Sequence, residues 1–183
     1  MNKVILCFAH WDFKNSSRVN KALIEEVKKS LPQVEIRDLY SLYSNNKFNS
    51  HFDTTNCKKS LEEASDIIWQ FPFQWYYPPA LFKQWIDDLL VPGWAHSIAE
   101  PKLKNKKLHL AITMGGDEKA YTHQGFNAHN VEDFISGIKQ TAKFCEIQFC
   151  EIFKVHDTVN ITEDKLKQKA QEYVKFISSL SSN

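Results

Sequence analysis

Val4-Ile-Leu-Cys-Phe-Ala9, then the polar turn His10-Trp-Asp-Phe-Lys-Asn-Ser16, then apolar Val19, Leu23, Ile24, Val27 and Leu31: this opening stretch decides the fold. A short unbroken apolar run fits a strand buried on both faces, as in a parallel sheet. The later apolar positions recur at helical spacing and predict a helix over residues 18–31, capped by Ser17 and stopped by Pro32. Strand, polar turn and amphipathic helix make one β–α unit.

The unit recurs along the chain. Residues 34–39 alternate as a short strand, while residues 44–57 are polar, Asn-rich and read as an irregular excursion. A brief helix over 58–64 leads into Asp66-Ile-Ile-Trp-Gln-Phe71, a third strand that ends at Pro72. A helix is expected over 80–90, with Pro79 at its first turn, and a loop over 91–106. A fourth strand over 108–114 breaks at Gly115-Gly116, and a polar loop runs to about residue 130. A helix over 131–144, a strand over 147–155 and a last helix over 162–180 complete five β–α units. Strict alternation implies an α/β fold, a parallel sheet with helices on both faces, because right-handed crossovers place them there. The 183 residues, without linker or repeat, read as a single domain.

Composition narrows the function. A formal net charge of +1 gives no field for nucleic acid or a membrane surface. No apolar stretch is long enough for membrane insertion. Cys7, Cys57, Cys145 and Cys150 are scattered without a C-x-x-C pair, which favours neither zinc nor a disulfide framework. With no signal peptide at the N-terminus, a cytoplasmic protein with reduced thiols is expected.

In an open parallel sheet, ligands bind beyond the carboxyl ends of the strands, where the strand order reverses. Three loops leave such ends. The first, His10-Trp-Asp-Phe-Lys-Asn-Ser-Ser-Arg-Val-Asn20, opens a helix. Free N–H groups, the helix dipole and the donors of Ser16, Ser17 and Asn20 suit a phosphate, although Ser17 as a plain cap explains the same residues. The second, Phe71-Pro-Phe-Gln-Trp-Tyr-Tyr-Pro-Pro79, sets aromatic rings between prolines that restrict the backbone. Rings held beside backbone amides suit a planar heterocycle; core or dimer contact is the alternative. The third, Thr113-Met-Gly-Gly-Asp117, allows close backbone approach and left-handed conformations at its glycines.

His10 ends the first strand and could face a ligand, whereas His51, His96, His109 and His156 lack companion residues and read as surface or sheet residues. His123 and His129 share a loop without a metal-ligand pattern, so no metal is expected. No G-x-S-x-G elbow supports Ser-His-Asp catalysis.

At these loops the chain resembles the flavodoxin-like NAD(P)H:quinone oxidoreductase family, above all its bacterial branch of ancillary subunits of glutathione-gated potassium efflux systems. The resemblance runs from Ile5 to about Phe176. It is carried by His10, Ser17 and Asn20, by Asp38-Leu-Tyr-x-Leu-Tyr43, by Ile68-Trp-Gln-x-Pro-x-Gln-Trp-Tyr76, and by Pro79, Leu81, Lys83-x-Trp-Ile-Asp87, Gly93-Trp-Ala95 and Thr113-x-Gly-Gly116.

The resemblance implies strand order 2-1-3-4-5, a homodimer with active sites at its interface, and bound FMN or alternatively FAD. The flavin phosphate would lie near Ser16, Ser17, Arg18, Val19 and Asn20, with His10 beside it. The ring would rest on Phe73, Gln74, Trp75 and Tyr76, with its far edge on Thr113, Met114, Gly115 and Gly116. Two electrons would pass from NAD(P)H through the flavin to a quinone or similar small acceptor.

The animal quinone reductases of this family carry a Tyr and a His in the loop after the fourth strand. Tyr121 matches the Tyr, and Asn127 stands where the His would be, which shifts stabilisation of negative charge toward the backbone near Gly115. Arg18 adds a candidate charge contact to the phosphate. The resemblance also implies an alternative role as an ancillary subunit docking on a potassium-efflux transporter. A one-electron carrier of the flavodoxin type fits less well, because the chain is nearly neutral and lacks a Thr-rich phosphate loop. A phosphorylated receiver domain would need an Asp where Phe71 and Pro72 stand.

Overall fold

A computed structural model describes residues 2–43 and 50–181. The first half runs β1 (Val4–Phe8), α1 (Arg18–Ser30), β2 (Glu35–Asp38), α2 (Leu39–Leu42), α3 (Ser50–Glu63), β3 (Asp66–Pro72) and α4 (Ala80–Leu89). The second runs β4 (Lys107–Thr113), α5 (Val131–Phe134), α6 (Ser136–Phe144), β5 (Gln148–Val155) and α7 (Glu163–Ser181). All five strands are parallel, in the order β2-β1-β3-β4-β5.

β1 is buried on both faces, so its apolar run is continuous rather than alternating. Ile5, Cys7 and Ala9 join Trp69, Phe71, Phe82 and Trp85 in the core that includes α3 and α4. Val4, Leu6 and Phe8 join Leu23, Ile24, Val27, Tyr173 and Ile177 in the core under α1 and α7. The chain leaves β1 in opposite directions toward β2 and toward β3–β5, and a crevice opens where the order reverses.

Three expectations are revised. α3 starts at Ser50, not near 58, and the part of the expected irregular excursion over 44–49 lies outside the described residues. The inward stripe of this region is Cys57, Ser60, Leu61 and Ala64. Arg37 of β2 reaches it, donating from Nη2 to Ser60 Oγ at 2.6 Å and from Nη1 to Cys57 Sγ at 3.7 Å. The helix expected over 131–144 is broken at Ile135 (φ −96°, ψ 12°), after a short α5 closed at its start by a reciprocal Asn130–Asp133 capping box. The polar loop after β4 holds a 3-10 turn, Glu118–Tyr121. None of the described helices is long and apolar enough to cross a membrane.

Candidate functional site

His10, Ser16, Ser17, Arg18, Val19, Asn20 and Thr113 converge on one cleft of about 280 Å³, closed by Pro72, Thr158 and Val159. The start of α1 faces it, bringing N–H groups of the first turn that have no helical partner. Ser17 occupies the cap position but makes no side-chain cap bond, so the plain-cap reading fails. Its Oγ is buried without a partner, a condition that costs about 1–3 kcal/mol. A hydroxyl so placed, beside the Val19 and Asn20 N–H groups, which donate to no partner among the described residues, is suited to an anion.

The other first-loop residues have distinct roles. Burial lowers the His10 pKa, and Nδ1 accepts the Asp12 N–H at 3.2 Å. The ring is therefore neutral at pH 7, with its proton on Nε2. Asn20 was expected to donate to a ligand, but its amide is engaged within the protein. It donates to Thr113 Oγ1 at 2.8 Å and accepts from Gln70 Nε2 at 3.1 Å. Arg18, likewise expected to meet a phosphate, is bound to Glu163 at the start of α7, with Nη2–Oε1 at 2.5 Å. Val19 is buried among the apolar residues of α1.

The second loop is held by its backbone as well as its prolines. Gln74 and Tyr77 exchange N–H···O=C bonds of 2.8 and 3.1 Å, and the two residues between them, Trp75 and Tyr76, have φ of 52° and 68°. Two successive positive φ values mark a type I′ turn, a conformation that prefers Asn and Gly. Bulky residues there cost of order 1–3 kcal/mol each. The turn lifts Trp75 to 89% exposure, while Tyr76 stacks on Phe134 at 4.8 Å. Phe73 is tied to the third loop by its N–H to the Thr113 carbonyl at 2.9 Å. Beside the turn lies an apolar groove of about 600 Å³, lined by Phe73, Tyr76, Tyr77, Lys83, His129 and Phe134 among others.

In the third loop Gly115 and Gly116 do not take the left-handed backbone that their type would allow, since Gly93 is the positive-φ glycine of the described chain. At Gly116 a Cβ would lie 3.2 Å from Tyr121 Cε2, so a larger residue there would require the Tyr121 ring to shift by a few tenths of an ångström. Met114 points into the core rather than the cleft. Tyr121 packs against Phe73 at 6.3 Å, and burial, with Tyr76 behind it, raises its pKa. Asn127 accepts the Tyr76 hydroxyl at 3.1 Å, so it supports the second loop.

The sequence reading passed over three residues. His156, read as solitary, lies 5.6 Å from the Tyr121 ring, with Nδ1 buried and unpartnered. His109 is paired with Asp66 at the far end of the sheet, 3.0 Å from Nε2 to Oδ1. Gly125 allows the tight passage under the 3-10 turn, since a Cβ would fall 2.0 Å from the Lys119 carbonyl oxygen. Only chain contacts distant in sequence reveal the first two.

Residues 2–177 match the family model described as flavodoxin-like fold. The chain belongs to that family. Among its relatives, the glutathione-regulated potassium-efflux system ancillary protein KefF of Salmonella dublin is 34% identical over 173 residues, covering 93% of this chain and 92% of its own. The flavodoxin-like frame is also shared with the general stress protein 14 of Treponema denticola, solved in complex with FMN. That structure has 26% identity and a TM-score of 0.87, over 97% of this chain and 99% of its own. An NADPH-quinone reductase of P. pentosaceus, at 18% identity and TM-score 0.81, covers 95% of this chain and 96% of its own and shares the fold.

Proposed function

We propose that the chain binds FMN and works as an NAD(P)H-dependent reductase of a quinone or similar small electrophile. The observation that carries this is the buried, unpartnered Ser17 hydroxyl at the start of α1, in the cleft that Thr113 shares. The residues fit a phosphate-tailed ring: Ser16, Ser17 and the first-turn N–H groups for the phosphate, with Phe73, Gln74, Trp75 and Tyr76 for the ring. The backbone of Gly115 and Gly116, whose N–H groups donate to no partner among the described residues, suits its carbonyl edge. The FMN-bound relative supports the same reading; FAD is the alternative.

When bound, FMN supplies two-electron transfer between a nicotinamide nucleotide and an acceptor. The chain's own residues place and protect it. Neutral His10 offers Nε2–H without a competing charge. Tyr121, its proton held by burial, offers a donor to developing negative charge. Phe73, Tyr76 and Phe134 give the groove where the acceptor would lie an apolar wall.

Purified protein titrated with FMN should quench the flavin's fluorescence at about one equivalent and then oxidise NADH or NADPH when benzoquinone is added. Colourless protein that neither quenches FMN nor turns over rules the reading out. We further read the exposed Trp75 and Tyr77 as the surface for a second copy, with both sites at that interface. Sedimentation as a monomer at micromolar concentration would exclude it.

The relationship to KefF favours a second, compatible role: an ancillary subunit of a potassium-efflux transporter, acting in the cytoplasm as one domain. Co-purification with such a transporter would support docking, and its failure under conditions that hold the KefF complex would count against it.

A further inference from the structure

Four buried side chains from four elements form one hydrogen-bonded chain that ends at the cleft. Tyr173 of α7 donates its hydroxyl to Gln70 Oε1 at 2.9 Å. Gln70 of β3 donates from Nε2 to Asn20 Oδ1 at 3.1 Å. Asn20 of α1 donates from Nδ2 to Thr113 Oγ1, on β4, at 2.8 Å. All four residues are buried, and Tyr173 and Gln70 completely so.

The direction of this chain is not arbitrary. Tyr173 is packed between Phe153 and Phe176, at 4.8 and 6.2 Å, and burial pushes its pKa well up, so the phenol keeps its proton. That proton needs an acceptor, and Gln70 Oε1 provides it. Once the Gln70 oxygen faces Tyr173, its NH2 must face Asn20, which turns the Asn20 NH2 toward Thr113. Reversing both amides would leave the phenol proton with nothing to bind. Thr113 Oγ1 therefore accepts a hydrogen bond from Asn20, and its own O–H is free to donate. Among the described residues that O–H has no acceptor, and Thr113 lines the cleft.

We propose that Tyr173 and Gln70 are positioning residues that hold the Thr113 hydroxyl as a fixed donor into the cleft, tuning it to ligand oxygens that can only accept, such as phosphate. This rests on the flavin reading above. With Ser17, the cleft then presents two side-chain donors of the same polarity beside the helix start.

The test is a double-mutant cycle on FMN affinity, read by fluorescence quenching. Thr113→Val removes the donor and is expected to weaken FMN about tenfold in the natural chain, while Thr113→Ser retains binding. Tyr173→Phe removes the phenol hydrogen that fixes the Gln70 amide, so both amides are released and the Asn20 oxygen can accept from the Thr113 hydroxyl. In the Tyr173→Phe background Thr113→Val should therefore cost less than about threefold. Any general effect of the lost phenol on FMN affinity cancels in the cycle.

Equal penalties in both backgrounds, or a Thr113→Val chain that binds FMN as the natural one does, overturn the proposal while leaving the flavin reading intact. Absence of FMN binding by the natural chain removes both. Should Tyr173→Phe not fold, Gln70→Leu removes the donor that pins the Asn20 oxygen, and the same pair of measurements is made there with the same expectation.

Discussion

The two ends of the β3–β4 pair both hold polar side chains out of water, and they hold them differently. At the amino ends, His109 Nε2 and Asp66 Oδ1 pair at 3.0 Å, and the other atoms of both groups, Nδ1 and Oδ2, are buried without partners. At the carboxyl ends, Gln70 and Thr113 belong to a chain that crosses four elements and opens on a cleft. The amino-end pair closes on itself and can only hold strands together. The carboxyl-end chain has a free terminus. An unmet polar atom thus means different things in the two places: enclosed, it is a local cost, and at a cleft, as in Ser17, it is a place for a ligand.

The largest effect should come from breaking the closed end. His109→Leu strands Asp66 in the core and is expected to lower stability by about 3 kcal/mol, seen as a lower denaturant midpoint. FMN affinity should change by less than about twofold, and a larger change would mean that the two ends are coupled. Gly125→Ala drives a Cβ onto the Lys119 carbonyl; a loss of about 2 kcal/mol is expected. The displacement of Tyr121 and Asn127 should also lower turnover.

At the open end the signs should separate. Ser17→Ala removes an unsatisfied hydroxyl, so the flavin-free protein should be as stable or up to about 1 kcal/mol more stable, while FMN binds about tenfold more weakly. Loss of both stability and affinity would assign Ser17 a structural role. Replacing the turn by Asn-Gly, Trp75→Asn with Tyr76→Gly, should add about 1 kcal/mol of stability and reduce acceptor turnover. A variant as active as the natural chain would show that the strained turn serves nothing at the site.

The smallest effect concerns pH. Burial holds the His10 pKa below its ordinary value of 6.5, so the unfolded chain takes up a proton more readily than the folded one. The stability this gives is complete above pH 6.5 and fades as pH falls through the folded-state value. His156 shifts in the same direction, also through burial first. Thermal melts of His10→Gln should lose less stability below pH 6.5 than the natural chain, by under about 1 kcal/mol. A parallel pH profile would mean that His10 is not the group being titrated.

Much of the fold was legible because β1 and β3 are apolar runs too short for helices, bounded by polar turns or proline. The start of α3 was not, because its inward stripe includes Ser60 and Cys57, which blur the helical period. The start of α5 is announced by the Asn130–Asp133 box, but nothing local marks its end at Ile135. The three loops were legible by position, since an open parallel sheet directs ligands to strand ends. The chain behind them was not. Gln70 was visible as a polar residue within an apolar strand, but its partners, Asn20 and Tyr173, lie far from it in sequence and meet it only in the fold. Asn127 was placed by its match to a family position, whereas its actual partner, Tyr76, comes from a different loop.

The reach of Arg37 across to Ser60 and Cys57 has one more effect. It sits on β2, a flank of the sheet only four residues long and charged at Glu35, Arg37 and Asp38. A short, charged margin is a poor template for another strand, and the opposite margin, β5, is irregular in its pairing with β4 between Leu108 and Leu110. Copies of this chain that come together should therefore do so without extending the sheet, and amide exchange in β2 should be the same at low and high protein concentration.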